Sequence, residues 1–417
     1  MTKDSPATPC APTSPAPPAG TVASAERPAT ATVLATASII TAAFMGSVIV
    51  TPLYSLYQRK FGFSEITLTA VYAVYVVGNV AALLVFGQIS DQVGRKRTAL
   101  PALGLAGASA MVFLLAGGTP WLYGGRLLIG LAVGILSGTG TAWLAEHFGP
   151  SARPRATATA ATANLAGIAI GPLLGGVLAQ YAPAPLVLPF VAYLVLLAGV
   201  AVAVARTDDT RAQRIGTLRE LRVRPRIGVP RDRLRSFAAP AVTGFVTFAL
   251  GGLYFALVPG IVIRDLHVHN VAVSGLIVFE LGILAAACIV LGRRIAPRTA
   301  MTSGLLFLLP AVALVVTAQA ARSMPLLLLA TACAGVTMAL GYRGSLEVIN
   351  QIAPDDRRAE VVSSYYIACF VGNSVPVIGL GVLTTLADPL VASVTFAATI
   401  GALSIAALAW HRRTAAQ

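Results

Sequence analysis

Four charged side chains, Arg126, Glu280, Arg343 and Glu347, stand inside stretches of sequence that are otherwise apolar. A charge in that setting is costly and is kept for binding, proton transfer or gating. Glu280 is ten residues into the segment from Val271 to Leu291, a depth of about 14 Å along a helix rising ~1.5 Å per residue. A lone carboxyl at that depth can exchange a proton for a cargo, which makes Glu280 the leading proton or cation site. The alternative is a protonated Glu bonded to the backbone of a neighbouring helix. An isolated guanidinium at Arg126 could bind a carboxylate, tune a nearby carboxyl or donate to helix carbonyls. Arg343 and Glu347 are four residues apart, so they share one helix face and can form an ion pair, structural or gating, toward the cytoplasmic end of their helix. Glu146, at the end of a charge-free run, is expected to be interfacial and solvated.

The elements that must position these groups follow from composition. The 417 residues are 56% hydrophobic and 11% charged, with a mean hydropathy of +0.79, whereas a soluble domain carries about 25% charge. Soluble enzyme folds are excluded, because so few charges cannot cover a solvated surface of this size. The intervals 28–58, 66–90, 98–125, 127–145, 236–263, 299–321, 323–342, 361–387 and 389–411 hold no charge. Each is close to the ~20 residues that span a bilayer. The interval 156–205 holds two spans, divided by the proline-rich turn at Tyr181–Pro185, and Val271–Leu291 completes twelve. Unbroken apolar runs also exclude a membrane barrel, whose strands alternate.

With both termini placed in the cytoplasm, 24 of the 30 Lys and Arg fall in inner segments, the polarity that short cytoplasmic loops show. The reading is an integral protein of the cell inner membrane. The net charge of +14 is spread over membrane-flanking loops, where it faces anionic lipids rather than nucleic acid. The expected organisation is a disordered cytoplasmic tail at 1–31, a six-helix bundle at 32–205, a basic linker at 206–235, a second bundle at 236–410 and a short tail at 411–417. Cys10, Cys288, Cys333 and Cys369 lack paired spacing and read as small hydrophobes. His267 and His269 are weak evidence for a metal, and neither a metal nor a cofactor is expected.

The two halves repeat. Pro150 and Arg153 correspond to Pro354 and Arg357, and 22 and 25 residues beyond each proline stand Pro172 and Gly175 in the first half and Pro376 and Gly379 in the second. Two such halves imply a central cavity and alternating access. The loop after span two reads Gly87-Gln-Ile-Ser-Asp91-Gln-Val-Gly94-Arg95-Lys96-Arg97. Gly94 gives the turn its backbone freedom, and the basic residues anchor at headgroups. Asp91 reads as a latch closing the cytoplasmic side, drawn to the start of span eleven and to Arg357 or Arg358. In span five, Gly167, Gly171, Pro172, Gly175 and Gly176 read as a close-packed hinge.

The loop resembles the signature loop of the major facilitator superfamily. Arg126 with Gly130 and Gly134 resembles that superfamily's span-four arginine motif, and the span-five glycines resemble the motif of its drug and proton antiporters. The resemblance implies an all-α membrane fold of twelve transmembrane helices in two pseudo-symmetric six-helix bundles. It also implies a role for Arg126 in proton coupling and for the span-five packing in limiting proton leakage.

Uncharged polar candidates for the cavity are Tyr54, Tyr72, Tyr75 and Asn79 in the first half and Tyr365, Tyr366 and Asn373 in span eleven, about half of them expected to be ordinary packing. A nucleotide-driven pump is excluded, because none of Lys3, Lys60 and Lys96 belongs to a phosphate-binding loop. One charge moved across 100 mV supplies about 2.3 kcal/mol, roughly a fiftyfold gradient. The expectation is a monomeric, proton-coupled exporter of small amphipathic compounds and not an enzyme, with a proton symporter importing a small organic anion or nutrient as the alternative. Its partners are the cargo, protons and membrane lipids.

Overall fold

The computed structural model describes residues 30–86, 89–149, 152–207, 227–354 and 357–415. Within them are twelve helices long and apolar enough to cross a membrane: α1 (Thr30–Phe61), α2 (Glu65–Leu84), α3 (Arg95–Leu114), α4 (Thr119–Phe148), α5 (Arg155–Tyr181), α6 (Leu188–Ala205), α7 (Arg231–Ala256), α8 (Val271–Arg294), α9 (Pro297–Ala320), α10 (Met324–Ile352), α11 (Glu360–Leu386) and α12 (Pro389–His411). An even number of crossings brings both ends of the chain to one face, the termini face; the other is the distal face. Cys10 and the N-terminal tail lie outside the described residues, as does most of the 206–235 stretch.

Charge-free intervals and helices do not share boundaries. α4 passes through Arg126 without a break, and helix continues from α12 as far as Ala415. A charge near a span end sits at headgroup depth, where it can reach water without ending the helix. Breaks arise instead from backbone chemistry. Pro52 opens a 3-10 turn, Thr51–Leu53, that offsets the last two turns of α1, and a π turn, Thr337–Gly341, interrupts α10 where Gly304 of α9 presses on Gly341.

Helix packing follows the internal repeat. α5 lies on α1 as α11 lies on α7, and α4 lies on α2 as α10 lies on α8. In lipid no hydrophobic force draws helices together, so close approach of backbones supplies the attraction and small residues permit it. A Cβ on Gly175 would stand 2.3 Å from the carbonyl oxygen of Ile49, and one on Gly130 would stand 2.2 Å from that of Tyr75.

The two halves join along α5·α8 and α2·α11. α5 divides its small residues between the two tasks. Gly167, Gly171 and Gly175, spaced by four, meet α1 at Thr41, Met45 and Ile49, while Pro172 and Gly176 meet Gly275, Val271 and Ala272 of α8. The repeat is not matched in packing at every position: around Gly379, the counterpart of Gly175, a Cβ would meet nothing within 4 Å. Gly175→Ala is therefore expected to destabilise the protein by about 1–3 kcal/mol through overpacking, whereas Gly379→Ala should be close to neutral. Thermal melting of the two purified variants in detergent checks the contrast.

Candidate functional site

The close crossing of α2 and α4 at Gly130 drives the side chain one turn earlier, Arg126, into the protein. Arg126 is 1% exposed, and its Nη1 donates to the carbonyl oxygen of Ser47 at 2.6 Å. Three aromatic faces surround the guanidinium, with ring centroids 4.9 Å away at Tyr75, 5.1 Å at Tyr72 and 5.9 Å at Tyr54. Nε of Arg126 and the hydroxyl of Tyr54 are buried and make no hydrogen bond. No carboxylate of the described residues pairs with Arg126. Each cation–π contact contributes about 0.5–2 kcal/mol, so three together are comparable to the several kcal/mol of effective cost of burying one ion. The cage therefore makes the buried cation tolerable and leaves its charge uncompensated.

The cage is tied to the other half of the molecule. The Tyr72 hydroxyl donates to Oδ1 of Asn373 on α11 at 3.1 Å. Asn79, one turn beyond Tyr75, has a buried Oδ1 without a partner. The other two tyrosines singled out from sequence belong to the second half. Tyr365 is fully buried and bonds the Ser345 hydroxyl at 2.7 Å, and Tyr366 bonds the Tyr342 hydroxyl at 3.1 Å. Tyr366 also lines an apolar cavity of about 260 Å³ between α2 and α11, with Val80, Leu83 and Leu84 on one side and Val362 and Phe370 on the other.

Glu280 belongs to neither group. Its Oε2 is buried without a hydrogen bond. It lies on α8 between Leu276 and Ile283, which are both exposed at i−4 and i+3, whereas the face of α8 bearing Gly275 and Gly282 packs on α5. Glu280 is on α8 of the second half, and Arg126 is on α4 of the first. The two charges thus occupy separate neighbourhoods in opposite halves.

At the termini face the remaining in-span charges are fasteners. Gly87 lies outside the described residues. Asp91 is in a short helix, Ile89–Val93, with its side chain outside them, so the expected Asp91 latch has no described geometry. Gly94 has φ 111°, a conformation reserved for glycine, and starts α3 there. Arg95 is 3% exposed and reaches Oε1 of Glu146 at 2.7 Å and the Ser90 hydroxyl at 2.6 Å. Lys96 donates to the carbonyls of Ala205 and Thr207, at the C-terminus of α6, where the helix dipole favours a cation. Arg97 is exposed. Glu146 is thus not a solvated interfacial residue as its position suggests; the last turn of α4 passes over the loop and places it against Arg95. The sequence signal was there, a carboxylate at a span end in a half whose preceding inner loop, at Arg95–Arg97, is basic.

Arg343 and Glu347 do form the expected pair, at 2.9 Å. Arg343 also donates to the carbonyls of Gly292 and Ile295, so it holds the turn between α8 and α9.

At the distal face the two halves are bonded directly. Arg264, in the short helix Val258–Arg264, pairs with Glu65 of α2 at 3.1 Å and with Asp265 at 2.9 Å. Gln319 donates to Asp265 at 2.8 Å. Burial works against the charge on Arg264, but Asp265 and Glu65 outweigh it and hold its pKa above the ordinary value. Beside it, Asn270 donates to the Tyr181 hydroxyl at 3.0 Å, and the backbone N–H of Val271 donates to Gln180 at 2.8 Å. Sequence reasoning gave none of these residues a role, because pairs formed between distant loops leave no local spacing to read.

His269 Nδ1 lies 3.1 Å from the carbonyl of His267, and among the described residues no group of three metal-ligating side chains gathers. The Arg95–Glu146 pair yields a test: Glu146→Gln deprives a buried guanidinium of a carboxylate partner and should cost up to about 3 kcal/mol, read as a lower melting temperature, while Arg97→Gln at the exposed neighbour should leave melting unchanged.

Comparison with known proteins agrees with this architecture. A family model described as Major Facilitator Superfamily matches residues 36–377. None of the curated proteins matches the sequence. Among solved structures, a bacterial homologue of the human lysosomal transporter Spinster, inward-facing and unoccupied, is 13% identical, with a TM-score of 0.67 over 92% of this chain and 95% of that one. The nucleoside transporter NupG is 15% identical, with a TM-score of 0.68 over 91% of this chain and 99% of that one. The human organic anion transporter MFSD10 (TETRAN) is 16% identical, with a TM-score of 0.64 over the same shares. At such identities the likeness is one of fold. With the family model spanning most of the sequence and twelve helices in two repeated halves, the chain belongs to the Major Facilitator Superfamily and is a membrane transporter, not an enzyme.

Proposed function

We propose that this transporter is a proton-coupled exporter of small amphipathic compounds, with its termini face in the cytoplasm of a cell whose inner membrane it spans. The observation that carries the reading is Glu280, a carboxyl in mid-span with a buried oxygen that no side chain or backbone group bonds. A proton is the counter-charge available to it, and moving that proton down its gradient supplies the work. Arg126 acts with it in coupling, as the family resemblance of the span-four motif implies. The distal bonds from Arg264 to Glu65 and from Asn270 to Tyr181 close one side. The apolar cavity at Val80, Leu83 and Tyr366 parts the halves toward the other side. That combination suits loading of an amphipathic cargo from the cytoplasmic side, with Asp91 as a latch for the opposite state. A monomer is sufficient for this cycle.

A second reading, a proton symporter importing a small organic anion, is favoured by one observation, the buried Arg126 without a carboxylate. The fold neighbours described as a nucleoside transporter and as an organic anion transporter leave cargo and direction to experiment. In liposomes with an acidic interior and a trapped pH dye, export coupling predicts that added cargo discharges the gradient and that Glu280→Gln abolishes the discharge. Uptake that requires an acidic exterior, with protons entering alongside, would replace the exporter with the symporter.

Closure at the distal face gives a further test. Arg264→Gln removes the ion pair between halves, and distances between spin labels on exposed Ser64 and His269 should then broaden toward longer values. An unchanged distribution would mean that the salt bridge does not hold that side closed.

A further inference from the structure

Two of the polar groups left unbonded in the cage can donate, while the Oδ1 of Asn79, one turn beyond Tyr75, is an unbonded acceptor. Arg126 Nε–H and the Tyr54 O–H are donors, both belong to residues at least 98% buried, and neither meets an acceptor. The nearest acceptor to the guanidinium, the Ser47 carbonyl, is engaged at Nη1. Donors and a full positive charge gathered in a low-dielectric cage call for an acceptor that is negative. Among the described residues no carboxylate pairs with Arg126: Glu347 is committed to Arg343, Glu146 to Arg95 and Glu65 to Arg264, and Glu280 is on α8 of the other half.

We infer that Arg126 and Tyr54 form an anion subsite, and that the amphipathic cargo carries a carboxylate or a comparable oxyanion which pairs with the guanidinium. The assignment rests on the transporter reading above and names the cargo class. The three rings offset the cost of burying the cation without neutralising it, so an incoming anion displaces no internal carboxylate. That absence of an internal competitor is what makes a caged arginine a better receptor than a salt-bridged one. The apolar part of the cargo has a place as well. The cavity between α2 and α11 begins at Val80, five residues along α2 from Tyr75, and its lining is aliphatic and aromatic apart from Ser363. A ligand with an oxyanion at one end and a ring or alkyl body would meet both surfaces.

The geometry also fixes how the anion is sensed. Tyr72 contributes a face to the cage and, through its hydroxyl, holds Asn373 in the opposite half. Because the cage is closed in this conformation, one of its tyrosines must swing aside to admit the anion. If that ring is Tyr72, binding also breaks a bond between the halves.

The test uses the purified full-length transporter in detergent and matched pairs of probes: 1-naphthoate against 1-naphthamide, and octanesulfonate against octanamide. Binding is read by thermal stabilisation and by displacement of the labelled naphthoate. The anion of at least one pair should bind at least tenfold more tightly than its amide. Arg126→Gln should weaken anion binding by roughly thirtyfold or more and leave the amides unaffected. Since a substitution of Arg126 could unfold the protein, Tyr54→Phe serves as the second variant; it keeps the ring, loses only the donor, and should weaken the anion by about tenfold. Equal binding of anion and amide in both pairs overturns the inference, as does unchanged anion affinity in either variant. The liposome experiment separates this from the coupling proposal. Discharge driven by cations and neutral compounds but never by anions sinks the anion subsite alone, whereas anion-selective binding with no proton movement sinks the coupling alone.

Discussion

Everything in this structure depends on helices that touch backbone to backbone. In a bilayer the hydrophobic effect does not draw one apolar helix onto another, so cohesion has to come from contact at distances that side chains would prevent. α5 is the clearest instance, because it applies the constraint twice on one helix. Its glycines at every fourth position lock it to α1 inside its own bundle, and Pro172 with Gly176 present a second small surface to α8 of the other. The same helix therefore packs within one half and forms part of the surface against the other. A bulky residue on the first face would damage the bundle, and one on the second would damage the contact between halves.

Charges divide along the same lines. Several near the two membrane faces are paired and fasten a segment: Arg95 with Glu146 the turn before α3, Arg343, paired with Glu347 and bonded to the carbonyls of Gly292 and Ile295, the turn after α8, and Arg264 with Glu65 the two halves to each other. The two that lie deep, Arg126 and Glu280, have no such partner and are held in different halves. Opposite charges that close in sequence count and never meet in space are of little use to stability. On the proposed function they suit a cycle in which external species, a proton and an anion, complete them in turn.

Much of this was legible before any coordinates. The twelve spans followed from the intervals between charges, and the repeat from prolines and glycines at matched offsets, since both signals are local and periodic. The Arg343–Glu347 pair was readable for the same reason, being one turn of one helix. What escaped was whatever depends on the phase of one helix against another. Glu146 looked solvated because nothing in its own helix shows that Arg95 lies beneath it. Tyr54, Tyr72 and Tyr75 were read as cavity candidates, but their convergence on Arg126 depends on the crossing of α2 and α4 at Gly130. Tyr365 was grouped with them by residue type, and instead it fills the core of the second half against Gly244 and Ser345. The distal bonds between halves were invisible because their partners lie between 89 and 199 residues apart in the chain.

The exposure of the Arg264–Glu65 bond, 37% and 21% at its two side chains, sets it apart from the cage at Arg126 in one more respect. A pair that reaches water is screened by mobile ions over a distance of about 8 Å at physiological ionic strength, while a fully enclosed charge is hardly screened at all. If the distal bond and the Arg126 subsite act as proposed, the medium on the distal side acts on closure and not on recognition. Salt there would shift the balance between the closed and open arrangements of the halves and leave the affinity of the enclosed guanidinium for an anion as it was. Ionic strength on that side would then be an input to transport separate from the concentrations of proton and cargo.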